Sequence, residues 1–282
     1  MAQRLDLART RTLGQILSDT FELYQRHFLL FFLPALLIAF PANLATTLLI
    51  PASATQGKMT ADDVDGALVF GIGAVVVAAI LVTLLASAFA THAVWRLGFG
   101  ETPTMNAVLG LATASLGALL PPFGLSLLAL VGVAVAAAAV VGIGAALFAP
   151  AAILALPVVL FAVYLGITWT LLSQAVIVDG ARNRSALRRS AALVKGSWWW
   201  VFAVVIVAEL IAAIPAGMIG AIGDSVLGRT AGGIVFGTIG QALTLAIPGI
   251  ATTLLFFSLR YQKGTHVGSP SSKAEPAASD TE

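Results

Sequence analysis

The chain has 282 residues, of which 59% are hydrophobic and only 10% are charged, and its formal net charge is +2. Because a soluble domain carries about a quarter charged residues, this composition excludes a soluble fold and indicates an integral membrane protein. The small net charge also argues against a nucleic-acid partner. The chain has no cysteine and only three scattered histidines, so we predict neither a metal site nor a bound cofactor.

The apolar runs of the sequence predict a bundle of membrane-spanning helices. An apolar helix of about 20 residues crosses the hydrocarbon core of a bilayer, and open sheet edges cannot face lipid. We therefore predict an all-α polytopic protein in which residues 1–263 form a single membrane domain. Its six transmembrane helices are predicted at about 29–50, 67–90, 122–148, 150–178, 199–222 and 234–259. Residues 264–282 are rich in Ser, Pro, Ala and charge, which is typical of a disordered tail.

The basic residues orient these spans in the membrane. No charged residue lies between Glu101 and Asp179, and this stretch is long enough for two spans or for three. With two, the chain places every basic residue except Lys58 and Arg229 on one side, together with both termini. A seventh span would move the basic residues of 182–195 to the other side, although Lys and Arg concentrate in cytoplasmic loops. We therefore predict six spans in the inner (plasma) membrane, with both termini cytoplasmic.

A short amphipathic segment precedes the first, third and fifth spans on the cytoplasmic side. The segments begin with the favourable N-cap residues Thr12, Thr104 and Ser185, and apolar residues recur in each at helical spacing. An apolar face opposite a polar or basic face is typical of a helix in the headgroup plane, so we predict three interfacial helices. Since each precedes a pair of spans, the chain has a weak threefold repeat. The alternative, in which these segments only extend the following spans, stays open.

Two segments of the sequence resemble a known membrane family. One is Arg-Thr-Leu-Gly-Gln-Ile-Leu-Ser-Asp-Thr-Phe-Glu-Leu-Tyr-Gln-Arg-His-Phe at 11–28, and the other is Ala-Leu-Arg-Arg-Ser-Ala-Ala-Leu-Val-Lys-Gly-Ser-Trp-Trp-Trp at 186–200. In both, the chain is similar to the bacterial multi-pass family named for the membrane domain joined to some glycerophosphoryl diester phosphodiesterases. The resemblance implies a six-span protein without an assigned activity. It does not imply phosphodiesterase activity, which belongs to a separate soluble domain.

Glu209 is the only ionisable residue deep within a predicted span. A carboxylate is costly there and should face protein or water. Gln241, Asn43 and Thr244 in other spans are its candidate partners, and Glu209, Gln241 and Asn43 form our candidate intramembrane polar site. In one interpretation this is a proton or substrate site. In the other, which we favour, Glu209 hydrogen-bonds Gln241 and only joins two helices.

A basic cluster occupies the third amphipathic segment. Its members, Arg184, Arg188, Arg189 and Lys195, are our candidate contacts for anionic lipid. Each basic residue near an anionic membrane surface contributes about 1 kcal/mol, although the same residues also fix topology. The opposite face of this segment, predicted to be buried, consists of Leu187, Ala191 and Val194.

The sequence contains no recognisable catalytic motif. It has no Gly-rich phosphate loop and no signature of a metalloprotease or a serine hydrolase. We therefore expect a protein that is not an enzyme: a membrane scaffold or accessory protein that engages lipids or other membrane proteins, or that self-associates. The alternative is a small transporter or lipid-handling protein with a pocket near Glu209. A cavity that reaches Glu209 would favour the alternative, whereas a carboxylate sealed in helix packing would favour the scaffold.

Overall fold

A computed structural model of the protein describes residues 7–50, 66–147 and 155–264. Within these ranges all regular secondary structure is helical, which confirms the predicted all-α class. The predicted tail beyond Gly264 lies outside the described residues, and so does the predicted junction between the third and fourth spans.

The helices alternate between long apolar segments and short connecting ones. They are α1 (Leu13–Arg26), α2 (Phe28–Leu49), α3 (Gly66–Gly98), α4 (Met105–Leu147), α5 (Ala155–Thr168), α6 (Leu172–Ile177), α7 (Arg184–Val194), α8 (Trp198–Gly232), α9 (Thr238–Thr244) and α10 (Ala246–Gln262), with a π-helical turn at Gly233–Gly237 before α9. Within α8 the backbone leaves the helical region at Gly228 (φ 74°, ψ 163°), where the fifth span ends.

In the described part of the chain, six helical segments are long and apolar enough to cross a membrane, in agreement with the six predicted spans. These segments are Phe28–Leu49, Leu68–Gly98, Met105–Ala139, Leu156–Ile177, Trp198–Gly228 and Thr230–Gln262. The first and fourth agree with their predicted limits to within a few residues at most ends. The second, third, fifth and sixth extend beyond at least one predicted limit, because each helix continues past its most apolar part.

The sixth span lies at the centre of the bundle. In its most apolar window 78% of the residues are buried, against at most 28% in any other span. Residues of α10 such as Ile250, Leu254 and Leu255 are fully buried, whereas the other spans expose large apolar side chains such as Phe70 and Leu128. Those outward side chains suit a lipid environment, and the buried α10 positions its neighbours around itself.

The first and third predicted amphipathic segments are separate helices. In α1, Thr12 and Gln15 form a reciprocal capping box, so the predicted N-cap is confirmed. His27, with φ −119° and ψ 37°, interrupts the helical backbone between α1 and α2. Between α7 and α8 the chain turns at Gly196, whose φ of 87° favours glycine. That α1 and α7 lie in the headgroup plane stays a prediction.

The second predicted amphipathic segment is not a separate helix. Thr104 does cap the helix, because its hydroxyl accepts a hydrogen bond from the N–H of Ala107. From Met105, however, α4 runs without interruption for 43 residues, through Pro121 and Pro122. No described residue at this junction leaves the helical region as His27 and Gly196 do elsewhere. At 1.5 Å per residue α4 is about 65 Å long, about twice the thickness of a hydrocarbon core. The alternative of a simple extension is therefore correct here.

The limits and buried face of α7 also differ from the prediction. Asn183, not Ser185, is the N-cap residue, and the Ser185 hydroxyl instead bonds the backbone of Arg182. The residues of α7 buried against the protein are Ala186, Ser190, Leu193 and Val194. Leu187 and Ala191 are only partly buried, so the side that faces the protein is rotated by about one residue, or ~100°, from the predicted apolar face, although Val194 belongs to both. Burial of the predicted face in lipid stays a prediction.

Several contacts bring distant segments together at one end of the bundle. The N–H of Arg11 donates to the Ser258 hydroxyl near the end of α10, over 3.0 Å. The ammonium of Lys263, just after α10, donates to the carbonyl of Lys195 over 3.0 Å. The start of α1, the end of α7 and the end of α10 therefore share one side, as an even number of spans requires.

Candidate functional site

A cavity of about 430 Å³ opens among α3, α8, α9 and α10. Small side chains create the space: on α8, the alanines at 212, 213 and 216 share a face with Glu209, because residues three and four apart in a helix lie side by side. Across the cavity, Gly249 lets α10 pack closely against α3, because a Cβ at this position would lie 2.7 Å from the Cβ of Ala90. The polar lining consists of Glu209, Gln241, Ser87 and four threonines.

Glu209 lines this cavity without a partner among the described residues. Its side chain is exposed, and among the residues that the structure describes none forms an ion pair or a hydrogen bond with it. The hydrogen bond to Gln241 that we favoured from the sequence is not formed. Gln241 lines the same cavity, but its Oε1 accepts a hydrogen bond from Asn43 Nδ2 at 2.7 Å. The structure thus brings Glu209 and Gln241 to one cavity. Asn43 does not line the cavity, but its hydrogen bond holds the Gln241 side chain in place.

Three of the four threonines around the cavity present oxygen lone pairs to it. Thr83, Thr244 and Thr252 each donate their hydroxyl proton to the carbonyl four residues earlier, at 2.8, 3.0 and 2.8 Å. A hydroxyl has one proton and two lone pairs, so these side chains are left as acceptors. Gln241 keeps its amide N–H groups as donors.

A buried chain of polar side chains supports the wall formed by α3 and α10. Ser87, on the cavity wall, hydrogen-bonds Ser173 at 2.6 Å. The fully buried Gln174 donates to Thr252, another wall residue, at 3.2 Å. Sequence reasoning missed this chain, although the polar residues at 173, 174, 252 and 253 within apolar spans were a usable signal. Such bonds hold the helices in register around the cavity.

A second polar group lies where the segments of the bundle meet. Asp179 accepts from Arg189 Nε at 2.7 Å and from Arg260 Nη1, and only 11% of the Asp179 side chain is exposed. The guanidinium of Arg260 also lies 5.8 Å from the ring centre of Phe256. Asp179 therefore joins the start of the α6–α7 connection to α7 and α10, a role that its isolated position in the sequence did not reveal.

The ion pair with Asp179 distinguishes Arg189 from the other three predicted lipid contacts. Arg189 is partly covered and bonded to Asp179, whereas Arg184, Arg188 and Lys195 are exposed. Burial, together with repulsion from Arg189 and Lys195, lowers the pKa of Lys263. The positive charge here is therefore concentrated, and three of the four candidate residues remain accessible.

Comparisons with known proteins add no assignment to this geometry. No family model, curated protein or solved structure matches this chain. The resemblance of 11–28 and 186–200 to the membrane-domain family consequently stays a prediction.

Proposed function

We propose that this protein binds a small ligand within the membrane and handles it as a small transporter or lipid-handling protein. The observation that supports this function is the carboxylate of Glu209, which faces a cavity of about 430 Å³ with no partner in the described part of the protein. Ionisable residues inside membranes are costly and mark substrate or ion pathways.

The same observation counts against the scaffold that we favoured from the sequence. In a scaffold, Glu209 would be sealed among helices and bonded to Gln241, but its side chain is exposed and that bond is not formed. The cavity also falls within the range of about 300–1,000 Å³ that small-molecule sites occupy. We infer that the chemistry here is binding and not catalysis, since the cavity brings no second ionisable group to Glu209 among its described lining residues.

The charged end of the bundle, where Asp179, α7 and the end of α10 meet, supports a proposal for the membrane location and for a lipid partner. We propose that the protein lies in the inner (plasma) membrane with both termini cytoplasmic, because the basic residues would then face the cytoplasm. Arg184, Arg188 and Lys195 are accessible to anionic headgroups, and Arg189 serves instead to bind Asp179.

Thiol labelling tests whether the cavity admits small polar molecules. The natural chain has no cysteine, so Ala213→Cys places a single thiol on the cavity wall, at an exposed position. A neutral, hydrophilic methanethiosulfonate should label it in nanodiscs. Two matched controls should not react: Ile214→Cys, on the outward apolar surface, where the native side chain is 58% exposed, and Ala208→Cys, which is fully buried. If Ala213→Cys reacts no faster than these two, the proposed function is wrong.

A further inference from the structure

We propose that the ligand of this cavity carries an organic ammonium group, which meets the carboxylate of Glu209. This inference rests on the proposed function and specifies the ligand's chemistry. It follows from the charge, the hydrogen-bonding capacity and the size of the cavity.

The charge of the cavity is the first argument. Glu209 is its one acidic residue, and its described lining includes no Arg, Lys or His. A carboxylate in a low-dielectric site needs a counter-charge or several hydrogen-bond donors. Since no described residue supplies either to Glu209, a cationic ligand group can supply what is missing.

The hydrogen-bonding capacity of the wall is the second argument. The hydroxyl protons of Thr83, Thr244 and Thr252 are used on backbone carbonyls. Together with the carboxylate, these side chains offer acceptors, although Thr252 already accepts one bond from Gln174; Gln241 and the hydroxyl of Thr170 are the donors that remain. A protonated primary amine has three donors and no acceptor, and so complements this wall better than a carboxylate or a phosphate does.

The size of the cavity favours an organic cation over a bare metal ion as its ligand. About 430 Å³ greatly exceeds the ~30 Å³ that one water occupies in the liquid. Calcium takes about 6–8 oxygen ligands, often from several carboxylates, and the described residues contain no group of three metal-ligating side chains. The remaining lining is largely apolar, with several alanines, Leu245 and Pro248, which suits the organic part of an amine.

Charge-selective labelling of Ala213→Cys tests the inference on the full-length protein in nanodiscs of zwitterionic lipid. The probes are a trimethylammonium-ethyl and a sulfonatoethyl methanethiosulfonate, with each rate divided by that for a free thiol in water. We expect the cationic reagent to react faster by about tenfold or more, since a site of one charge sign concentrates the opposite ion. Glu209→Gln in the same background should abolish this ratio. Asp224→Asn, which removes a carboxylate from α8 outside the cavity lining, should leave it unchanged.

A protection assay tests the ammonium class directly. Phenethylammonium should slow the labelling of Ala213→Cys by the neutral reagent, and 2-phenylethanol, phenylpropanoate and sodium ions at equal concentration should not. Protection should be lost in Glu209→Gln. Equal rates for the two charged reagents, or equal protection by the alcohol or by sodium, would overturn the inference. Because the neutral reagent alone tests access to the cavity, its success with such a result would leave the proposed function standing.

Discussion

Asn43 Nδ2 donates a hydrogen bond to Gln241 Oε1 over 2.7 Å and so joins the first span to the sixth. The same amide also reaches the carbonyl of Ala39, at 3.1 Å, which fixes its orientation within α2. The bond occupies the oxygen of Gln241 and leaves its amide N–H groups as donors on the cavity wall. It thereby fixes the position of the Gln241 side chain between α2 and the cavity.

Breaking the bond between Asn43 and Gln241 should lower stability modestly. We expect Asn43→Leu to lower the free energy of unfolding by about 0.6 kcal/mol, and at most ~1.7, the range measured for hydrogen bonds between membrane helices. Gln241→Leu should cost a similar amount. The double variant should lose less than the sum, since both changes remove one bond. Thermal unfolding in detergent measures all three, and strictly additive losses would contradict a direct bond.

Replacing Glu209 should affect binding without a loss of stability. Since no described residue is bonded to its carboxylate, Glu209→Gln and Glu209→Leu remove no interaction and end the cost of an intramembrane carboxylate. We expect thermal stability in detergent to be equal to that of the native protein or higher. Residues at functional sites commonly lower the stability of the fold in exchange for activity or binding. A decrease as large as that of Asn43→Leu would show that Glu209 is a structural residue after all.

Removing Asp179 should be the most damaging single change at the charged end. In Asp179→Asn, both Arg189 and Arg260 lose their ion pair. We expect a loss of roughly 1–3 kcal/mol, below the roughly 3–5 of fully buried pairs because 34% of the Arg189 side chain is exposed. The matched control is Glu22→Gln, which breaks the exposed pair with Arg26 and should cost at most about 0.5 kcal/mol. Equal losses in thermal unfolding would rule out a structural role for Asp179.

The orientation of the protein can be tested with single cysteines in the natural cysteine-free background. Ser185→Cys lies at the cytoplasmic end in our proposal, and Ser225→Cys lies near the opposite end of α8; both positions are exposed. In intact cells an impermeant thiol reagent should label Ser225→Cys only. In opened membranes it should label both. Labelling of Ser185→Cys in intact cells would reverse the proposed topology.

The number of spans was predictable because hydropathy depends on each segment separately. A run such as 29–50 is apolar enough to enter lipid whatever its neighbours are. Likewise, the capping of α1 follows from Thr12 and Gln15, which are three residues apart in the chain. Properties decided within one turn or one span could therefore be read from the sequence.

The partners of polar side chains could not be predicted in the same way. They depend on how each helix is rotated and on which helices are neighbours. Gln241 could have faced Glu209 or Asn43 on sequence grounds, and the packing of α9 against α2 selects Asn43. Arg189 looks like Arg188 in the sequence, but a rotation of ~100° along α7 brings it to Asp179. The cavity depends on small side chains beside Glu209 and on how four helices pack around them. The sequence of one helix therefore does not predict it.

The exposed basic residues of α7 should give the protein a preference for anionic lipid. Trp199, which follows α7, is 76% exposed, and brominated lipid nearby should quench tryptophan fluorescence. We expect brominated phosphatidylglycerol to quench the full-length protein more than brominated phosphatidylcholine does. Arg184→Gln with Arg188→Gln should weaken the preference by about 1 kcal/mol for each charge. Salt should weaken it as well, because the Debye length is only about 8 Å at 0.15 M.

Arg189→Gln provides the control for this lipid preference. It removes the same charge from the same helix, but from a residue bonded to Asp179 over 2.7 Å. We expect it to lower thermal stability while changing the lipid preference less than Arg188→Gln does. If all three arginines contribute equally to the preference, the cluster acts only through its total charge. If quenching by the two lipids is equal in the native protein at low salt, α7 does not bind anionic lipid, and its basic residues serve topology alone.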